Sequence, residues 1–280
     1  MIWTRGEVIP DDALHISAFD RTFEHGLGLF ETLRTWDGHP TLLDRHLARL
    51  RRSARQLGLI IDPEDLPDAS AVRRLKGVGP TAGSGDVRLR IVLTGGVHGP
   101  SSDPEKSTLW MSAGPLPPPT RTDGIRIVRS ILADPDDPLA RHKTLNYWRR
   151  RIELARAAAE RADEVLCVTP DGRICEGTRS NVFLVRDGRL ITPGTDGPLL
   201  EGIMRRVVIE HARQHGVDVV EGPVDLAAID SADEAFLTNS VRGILPAARL
   251  LQAELPAPGP LTKRLWDAIL PWLESGGTIP

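Results

Sequence analysis

The sequence predicts an α/β chain, with mixed sheets flanked by helices, folded as two domains. Three observations carry this expectation. Short runs with strand periodicity alternate with longer amphipathic helical segments on both sides of one proline-rich stretch. That stretch, Gly114-Pro115-Leu116-Pro117-Pro118-Pro119-Thr120, suits neither a helix nor a central strand and should run extended. The length of 280 residues, against about 150 residues per domain, allows one large domain or two medium ones. The boundaries follow as a first domain at 1–114, a linker at 115–122 and a second domain at 123–280.

Taken in order, residues 28–36 read as a strand after the Gly26-Leu27-Gly28 turn. Residues 41–59 place Leu43, Leu47, Leu50, Ala54 and Leu57 at helical spacing, with arginines around the polar side. A glycine-rich break at 76–85 falls inside the first half. Residues 87–91 alternate with period two, so Arg88 and Arg90 share one face of a strand. Residues 125–131 form another strand, 144–162 a long helix and 164–168 a strand. Pro170-Asp171-Gly172 and Arg186-Asp187-Gly188 are hairpin turns between short strands. Residues 200–215 form a helix stopped by Gly216. A strand at 234–238 runs into a polar turn, and a break at 256–260 precedes one last short helix.

Composition narrows the function. Apolar residues at 40% and charged residues at 26% are ordinary for a globular chain and exclude disorder, collagen-like repeats and coiled coil. Lys and Arg total 35 against 38 Asp and Glu, a net charge of −3. No basic excess is available for a phosphate backbone, so nucleic acid is not an expected partner. No apolar run reaches the roughly 18 residues of a membrane span, and the first residues lack the apolar core of a signal peptide. Cys167 and Cys175 match no metal spacing and are too few for a disulfide scaffold. A cytoplasmic protein with reduced cysteines and no bound metal is expected.

No zinc, P-loop, serine-elbow or dinucleotide fingerprint is present. The informative residues lie mostly in the second half. Lys143 stands just before a helical segment, in His142-Lys143-Thr144-Leu145-Asn146-Tyr147. Glu176 closes a short hairpin strand and leads into Gly177-Thr178-Arg179-Ser180-Asn181. A helix start follows at Glu201-Gly202-Ile203-Met204, then a turn at Thr238-Asn239-Ser240. Together with Gly28-Leu29-Phe30-Glu31-Thr32-Leu33-Arg34, these motifs resemble, in order and spacing, the class IV (fold type IV) pyridoxal-phosphate enzymes. That family holds D-amino-acid aminotransferases, branched-chain aminotransferases and aminodeoxychorismate lyases. The resemblance covers nearly the whole chain, from Phe19-Asp20-Arg21 to Pro246.

The resemblance implies pyridoxal 5′-phosphate as cofactor, with Lys143 as its Schiff-base lysine and as the base that shuttles a proton between substrate Cα and cofactor C4′. A lysine suits both tasks because its pKa falls readily on desolvation. It further implies that Glu176 pairs with the pyridine nitrogen, making the ring an electron sink. The phosphate would meet Arg49 on the first long helix, the backbone N–H groups of Ile203 and Met204 at a helix start, and the turn of Asn239 and Ser240. Tyr147 stands one residue earlier than the tyrosine of branched-chain members. It either reaches the cofactor hydroxyl or packs on its helix.

On the substrate side, D-amino-acid aminotransferases have tyrosine where this chain has Phe30. Thr94-Gly95-Gly96-Val97-His98-Gly99-Pro100 lacks the arginine of their carboxylate trap. Arg179, with Ser180 beside it, is the candidate replacement, since a guanidinium near a cofactor is best stabilised by an anion. Arg88 or Arg90 could reach the same site. The expected activity is transfer of an amino group between an amino acid, leaning towards D-alanine or D-glutamate, and an α-keto acid such as 2-oxoglutarate. The alternatives are an aminodeoxychorismate lyase, which releases 4-aminobenzoate and pyruvate, and a branched-chain L-amino-acid aminotransferase. A non-catalytic relative that only binds is the reading from another class, and it would purify without cofactor. The resemblance also implies a homodimer.

Overall fold

The computed structural model describes residues 1–78, 81–97, 107–118 and 123–277. The chain divides into two units. The first comprises Met1–Pro117, His142–Asn146 and Trp272–Pro280, and the second Pro118–Arg141 and Tyr147–Pro271. Two short segments therefore leave the division expected at 115–122. The lysine segment stands with the first unit, not inside a second domain, and the C-terminus returns to the first unit as well.

The first unit holds β1 (Ile2–Thr4), β2 (Glu7–Ile9), α1 (Arg21–His25), β3 (Gly28–Arg34), α2 (Leu43–Gln56), α3 (Ala69–Lys76), β4 (Arg88–Thr94) and β5 (Leu109–Gly114). The strands form an antiparallel sheet in the order β2-β1-β5-β4-β3. Leu43, Leu47, Leu50 and Ala54 of α2 bury against that sheet with Leu29, Leu33, Leu89 and Ile91, as their spacing predicts. Position β3 is an edge, and an unpaired strand edge offers N–H and C=O groups to any extended segment. Residues 143–145 take it. Phe30 N donates to the Lys143 carbonyl at 2.9 Å, Leu145 N donates to the Gly28 carbonyl at 3.0 Å, and Thr144 bridges Leu29. Gly28 makes the approach possible: its φ is +151°, and a Cβ there would lie 2.6 Å from Leu145 Cδ1.

The second unit continues with β6 (Ile125–Leu132), α4 (Trp148–Ala159), β7 (Glu164–Val168), β8 (Ile174–Gly177), β9 (Asn181–Arg186), β10 (Arg189–Pro193), α5 (Ile203–Gln214), β11 (Val219–Gly222), β12 (Glu234–Asn239), β13 (Gly243–Leu250) and β14 (Ala253–Glu254). The last helix, α6, spans Pro260–Glu274, longer than the break before it suggests. The sheet runs β11-β10-β9-β12-β13-β6-β7-β8, with β14 on β13. It is mixed. The β6–α4–β7 and β10–α5–β11 connections each join parallel strands, and both predicted turns close antiparallel hairpins. The helix expected over 144–162 begins only at Trp148, because residues 143–145 are drawn into the pairing with β3.

Several expectations fall partly outside the described residues: the glycine-rich break at 79–80, the end of the linker at 119–122, and His98-Gly99-Pro100. Among the described residues no helix is long and apolar enough to cross a membrane.

Candidate active site

In the first unit the site begins with α2. Its inward stripe is not wholly apolar. His46, Arg49 and Ser53, at helical spacing, are buried alongside the leucines. Of the arginines on this helix, Arg49 is drawn inside, 5% exposed, by Glu31 of β3, itself 1% exposed. Arg49 Nε donates to Glu31 Oε1 at 2.8 Å and Arg49 NH2 to Oε2 at 2.6 Å, a bidentate fork. His46 Nδ1 lies 2.7 Å from Oε2. A carboxylate only accepts, so this nitrogen carries the proton, and Nε2 is left buried with no hydrogen-bond partner among the described residues. Burial alone would raise the Glu31 pKa, but the charge and hydrogen bonds of Arg49, then those of His46, bring it down to about 2. Burial lowers the pKa of His46 despite Glu31, and the charges of Arg49 and Lys143 lower it further.

Beside this triad, Lys143 and Arg90 share one aromatic ring. Lys143 Nζ lies 4.6 Å and Arg90 Cζ 4.0 Å from the centroid of Phe30, both within cation–π range. His142, next in sequence to the lysine, is anchored through Nδ1 to Ser53 Oγ at 2.9 Å. Arg88 is exposed and stands two residues, about 7 Å, further along the strand. Arg88 and Arg90 share a strand face as expected, but only Arg90 meets the Phe30 ring. At the turn after β4, Arg21 donates to the carbonyls of Gly95 and Gly96, so that turn does hold a guanidinium, supplied from α1.

In the second unit, Glu176 is 3% exposed. Arg150 NH2 donates to its Oε1 at 2.7 Å and the Leu200 N–H to its Oε2 at 3.1 Å. Arg150 also donates to the Thr178 carbonyl at 2.9 Å and lies over the Tyr147 ring, 5.6 Å from its centroid. Tyr147 is half-buried at the start of α4, so its ring packs against that arginine. Asn181 Nδ2 reaches the Leu200 carbonyl at 2.8 Å, and Asn181 pairs in register with Thr238 of β12. Three segments therefore meet: the end of β8, the start of α5 and the end of β12. Gly202 caps α5 with no side-chain hydrogen bond, leaving the N–H groups of the first turn, those of Ile203 and Met204 among them, to other acceptors. A Cβ at Gly202 would collide with Asn181 Oδ1. Thr238 Oγ1 is buried and has no partner among the described residues.

Three assigned side chains are placed otherwise than the resemblance implies. The Ser180 hydroxyl donates to Glu164 Oε2 at 3.0 Å, and Thr178 Oγ1 donates to Oε1 of the same carboxylate. Ser180 thus ties down the turn instead of facing a substrate. Asn239 Oδ1 accepts from the N–H groups of Val241 and Arg242, at 3.1 and 2.9 Å, which shapes the turn that carries half-buried Ser240. Arg179 is 55% exposed, donates to the Asp163 carbonyl at 3.0 Å and lies 3.7 Å from Glu164 Oε2. Glu31, His46, Arg150 and Thr238 were not singled out from the sequence. The spacing of residues 46, 49 and 53 beside the leucine stripe was the available signal for His46. Nothing in the spacing points to Arg150.

An uncapped helix start, an unsatisfied buried hydroxyl and a carboxylate held by two donors fit a phosphorylated pyridine better than a neutral ligand. The comparisons agree with that chemistry. The Amino-transferase class IV family matches residues 28–250, and the chain belongs to it. Enzymes of this family use pyridoxal phosphate. An aminodeoxychorismate lyase of Bacillus subtilis is 31% identical over 260 residues, covering 89% of this chain and 86% of its own. A bifunctional aminodeoxychorismate lyase / D-amino acid transaminase of Mycobacterium tuberculosis is 32% identical over 257 residues, covering 84% and 86%. Among solved structures, the PLP-bound form of a hypothetical aminotransferase from Mycobacterium tuberculosis superposes with a TM-score of 0.83. It is 26% identical and covers 99% of this chain and 100% of that one.

Proposed function

We propose that this enzyme moves an amino group between a D-amino acid, such as D-alanine or D-glutamate, and an α-keto acid such as 2-oxoglutarate. The observation that carries the reading is the pair of cations on Phe30. An arginine on the same ring as the reactive lysine gives a substrate carboxylate a partner close to the base. Arg90 takes this role and Arg88 does not. Arg179, held by the Asp163 carbonyl and near Glu164, is not assigned this role. The relationship to a bifunctional enzyme that carries D-amino acid transaminase activity supports the same reading.

When bound, pyridoxal phosphate supplies the electron sink that acidifies the substrate Cα–H. Lys143 Nζ would hold the cofactor and, once the substrate amine has displaced it and freed its lone pair, would carry the proton between the substrate Cα and C4′. The Phe30 ring orients the amine and keeps water from it. Glu176, fixed by Arg150 and the Leu200 N–H, keeps a proton on the pyridine nitrogen. Arg49, the N–H groups of Ile203 and Met204, and Ser240 hold the phosphate. Glu31 holds the Nε and NH2 edge of Arg49, which fixes the orientation of its guanidinium. The protein acts in the cytoplasm as a homodimer on small-molecule substrates. Burial and the neighbouring Glu176 push its Cys167 thiol up to about 12, so that thiol is inert.

A second reading, an aminodeoxychorismate lyase, is favoured by Phe30 in place of tyrosine and by the Bacillus subtilis relative. A branched-chain L-amino-acid aminotransferase is the third. A half-reaction separates them. The cofactor-loaded protein is mixed with D-alanine or D-glutamate and with the L-forms, and the visible band of the lysine-bound cofactor is followed. Loss of the band with the D-forms supports the proposal. Loss with the L-forms alone refutes it in favour of the branched-chain type. Silence towards both, with 4-aminobenzoate released from aminodeoxychorismate, refutes it in favour of the lyase.

A further inference from the structure

Helix α2 has a second pair of cations, Arg51 and Arg55, on the side opposite His46, Arg49 and Ser53, with Arg52 on its flank. Arg51, Arg52 and Arg55 line a groove of about 500 Å³, closed by Leu59, Ile60 and Leu66 from the segment that follows the helix. That volume is typical of small-molecule sites, which measure roughly 300–1,000 Å³. Arg51 and Arg55 are four residues apart on one helix face, where like charges repel, and neither has an ion-pair partner among the described residues. Asp62, Glu64 and Asp65 lie on the following loop, where Asp62 caps the Glu64 N–H at 3.2 Å. No acidic residue is among the described residues lining the groove. A cation in the last helical turn is favourable in itself, which accounts for Arg55. It does not account for the apolar floor, where Ile60 is 38% exposed.

We propose that this groove binds a small anion with an apolar body, of the class of aromatic or branched-chain carboxylates. Its carboxylate would sit in the forks of Arg51 and Arg55 and its apolar body on Leu59, Ile60 and Leu66. Because the groove lies on the opposite stripe from Arg49, its ligand is not the substrate undergoing reaction. The proposal does not depend on which amino acid the enzyme uses.

The test titrates the cofactor-loaded enzyme with 8-anilinonaphthalene-1-sulfonate and follows its fluorescence, then competes the probe with 2-naphthoate and with neutral 2-naphthamide. One saturable site is expected, displaced at least tenfold better by the carboxylate than by the amide. The Arg51→Ala/Arg55→Ala double variant should bind the probe at least tenfold more weakly. Ile60→Glu, which places a carboxylate in the groove from outside the helix, should do the same without lowering the melting temperature. Phe23→Ser, which removes an exposed ring elsewhere in the first unit, should change nothing. Equal affinity in the wild type, the double variant and Ile60→Glu overturns the proposal, as does loss of the site in Phe23→Ser or equal displacement by the amide.

Discussion

Replacing Glu31 by glutamine tests the buried triad of the first unit directly. The side chain is 1% exposed, and its carboxylate accepts two hydrogen bonds from Arg49 and one from His46. Glutamine keeps the shape, but one of its two terminal atoms becomes a donor facing donors, and the Arg49 charge loses its counter-ion. Removing one partner of a buried ion pair typically costs about 3–5 kcal/mol, and that loss is expected in urea unfolding of the cofactor-free protein. Arg49→Met should restore part of it in the double variant, since removing the guanidinium leaves no orphaned buried charge.

The pH dependence gives an independent check. The Glu31 carboxyl is held at about 2 against an ordinary 4.5, so between these values the unfolded chain binds the extra proton. The stabilisation is therefore complete above about pH 4.5 and is lost as pH falls towards 2. The gap corresponds to about 3 kcal/mol. The lowered pKa of His46 also destabilises the fold in acid, but from about 6.5 downward, where unfolded histidine takes up its proton. Glu31→Gln should thus flatten the stability curve only in its lower part. A loss under about 1 kcal/mol, an unchanged acid limb, or a double variant no better than the single one would refute the reasoning.

Lys143→Ala should remove the visible band of the bound cofactor, and hydride reduction should no longer fix the cofactor to the chain; a label fixed on another lysine would reassign the base. Arg90→Ala should raise KM for dicarboxylic substrates by more than tenfold, as expected when a charged hydrogen bond worth about 1.5–3 kcal/mol is lost. Arg88→Ala should leave KM unchanged, and equal kinetics in the two variants would remove Arg90 from the site. Gly202→Ala should weaken cofactor retention by displacing Asn181 from the start of α5; unchanged cofactor affinity in equilibrium dialysis would mean that this helix start does not hold the phosphate.

The elements were largely legible because their signals are local. The leucines of α2, the period-two run of β4 and the Asp-Gly turns of the two hairpins each lie within a few residues, and each appears where its pattern places it. The motif order around Lys143, Glu176 and Thr238-Asn239-Ser240 was likewise readable along the chain, and with it the family and its cofactor. What could not be read was every choice made by residues far apart. Nothing local tells Thr144 and Leu145 to leave a helix and pair, with Lys143, along β3. The free edge of a strand more than a hundred positions earlier decides it. Which α2 arginine is buried depends on Glu31 facing it from β3. Whether Ser180 and Asn239 face a ligand or close their own turns depends on Glu164 and on the backbone after β12. Periodicity and turn chemistry fix elements through interactions between neighbours, whereas the pairing of a buried charge is settled only when tertiary packing brings its counter-charge within 3 Å.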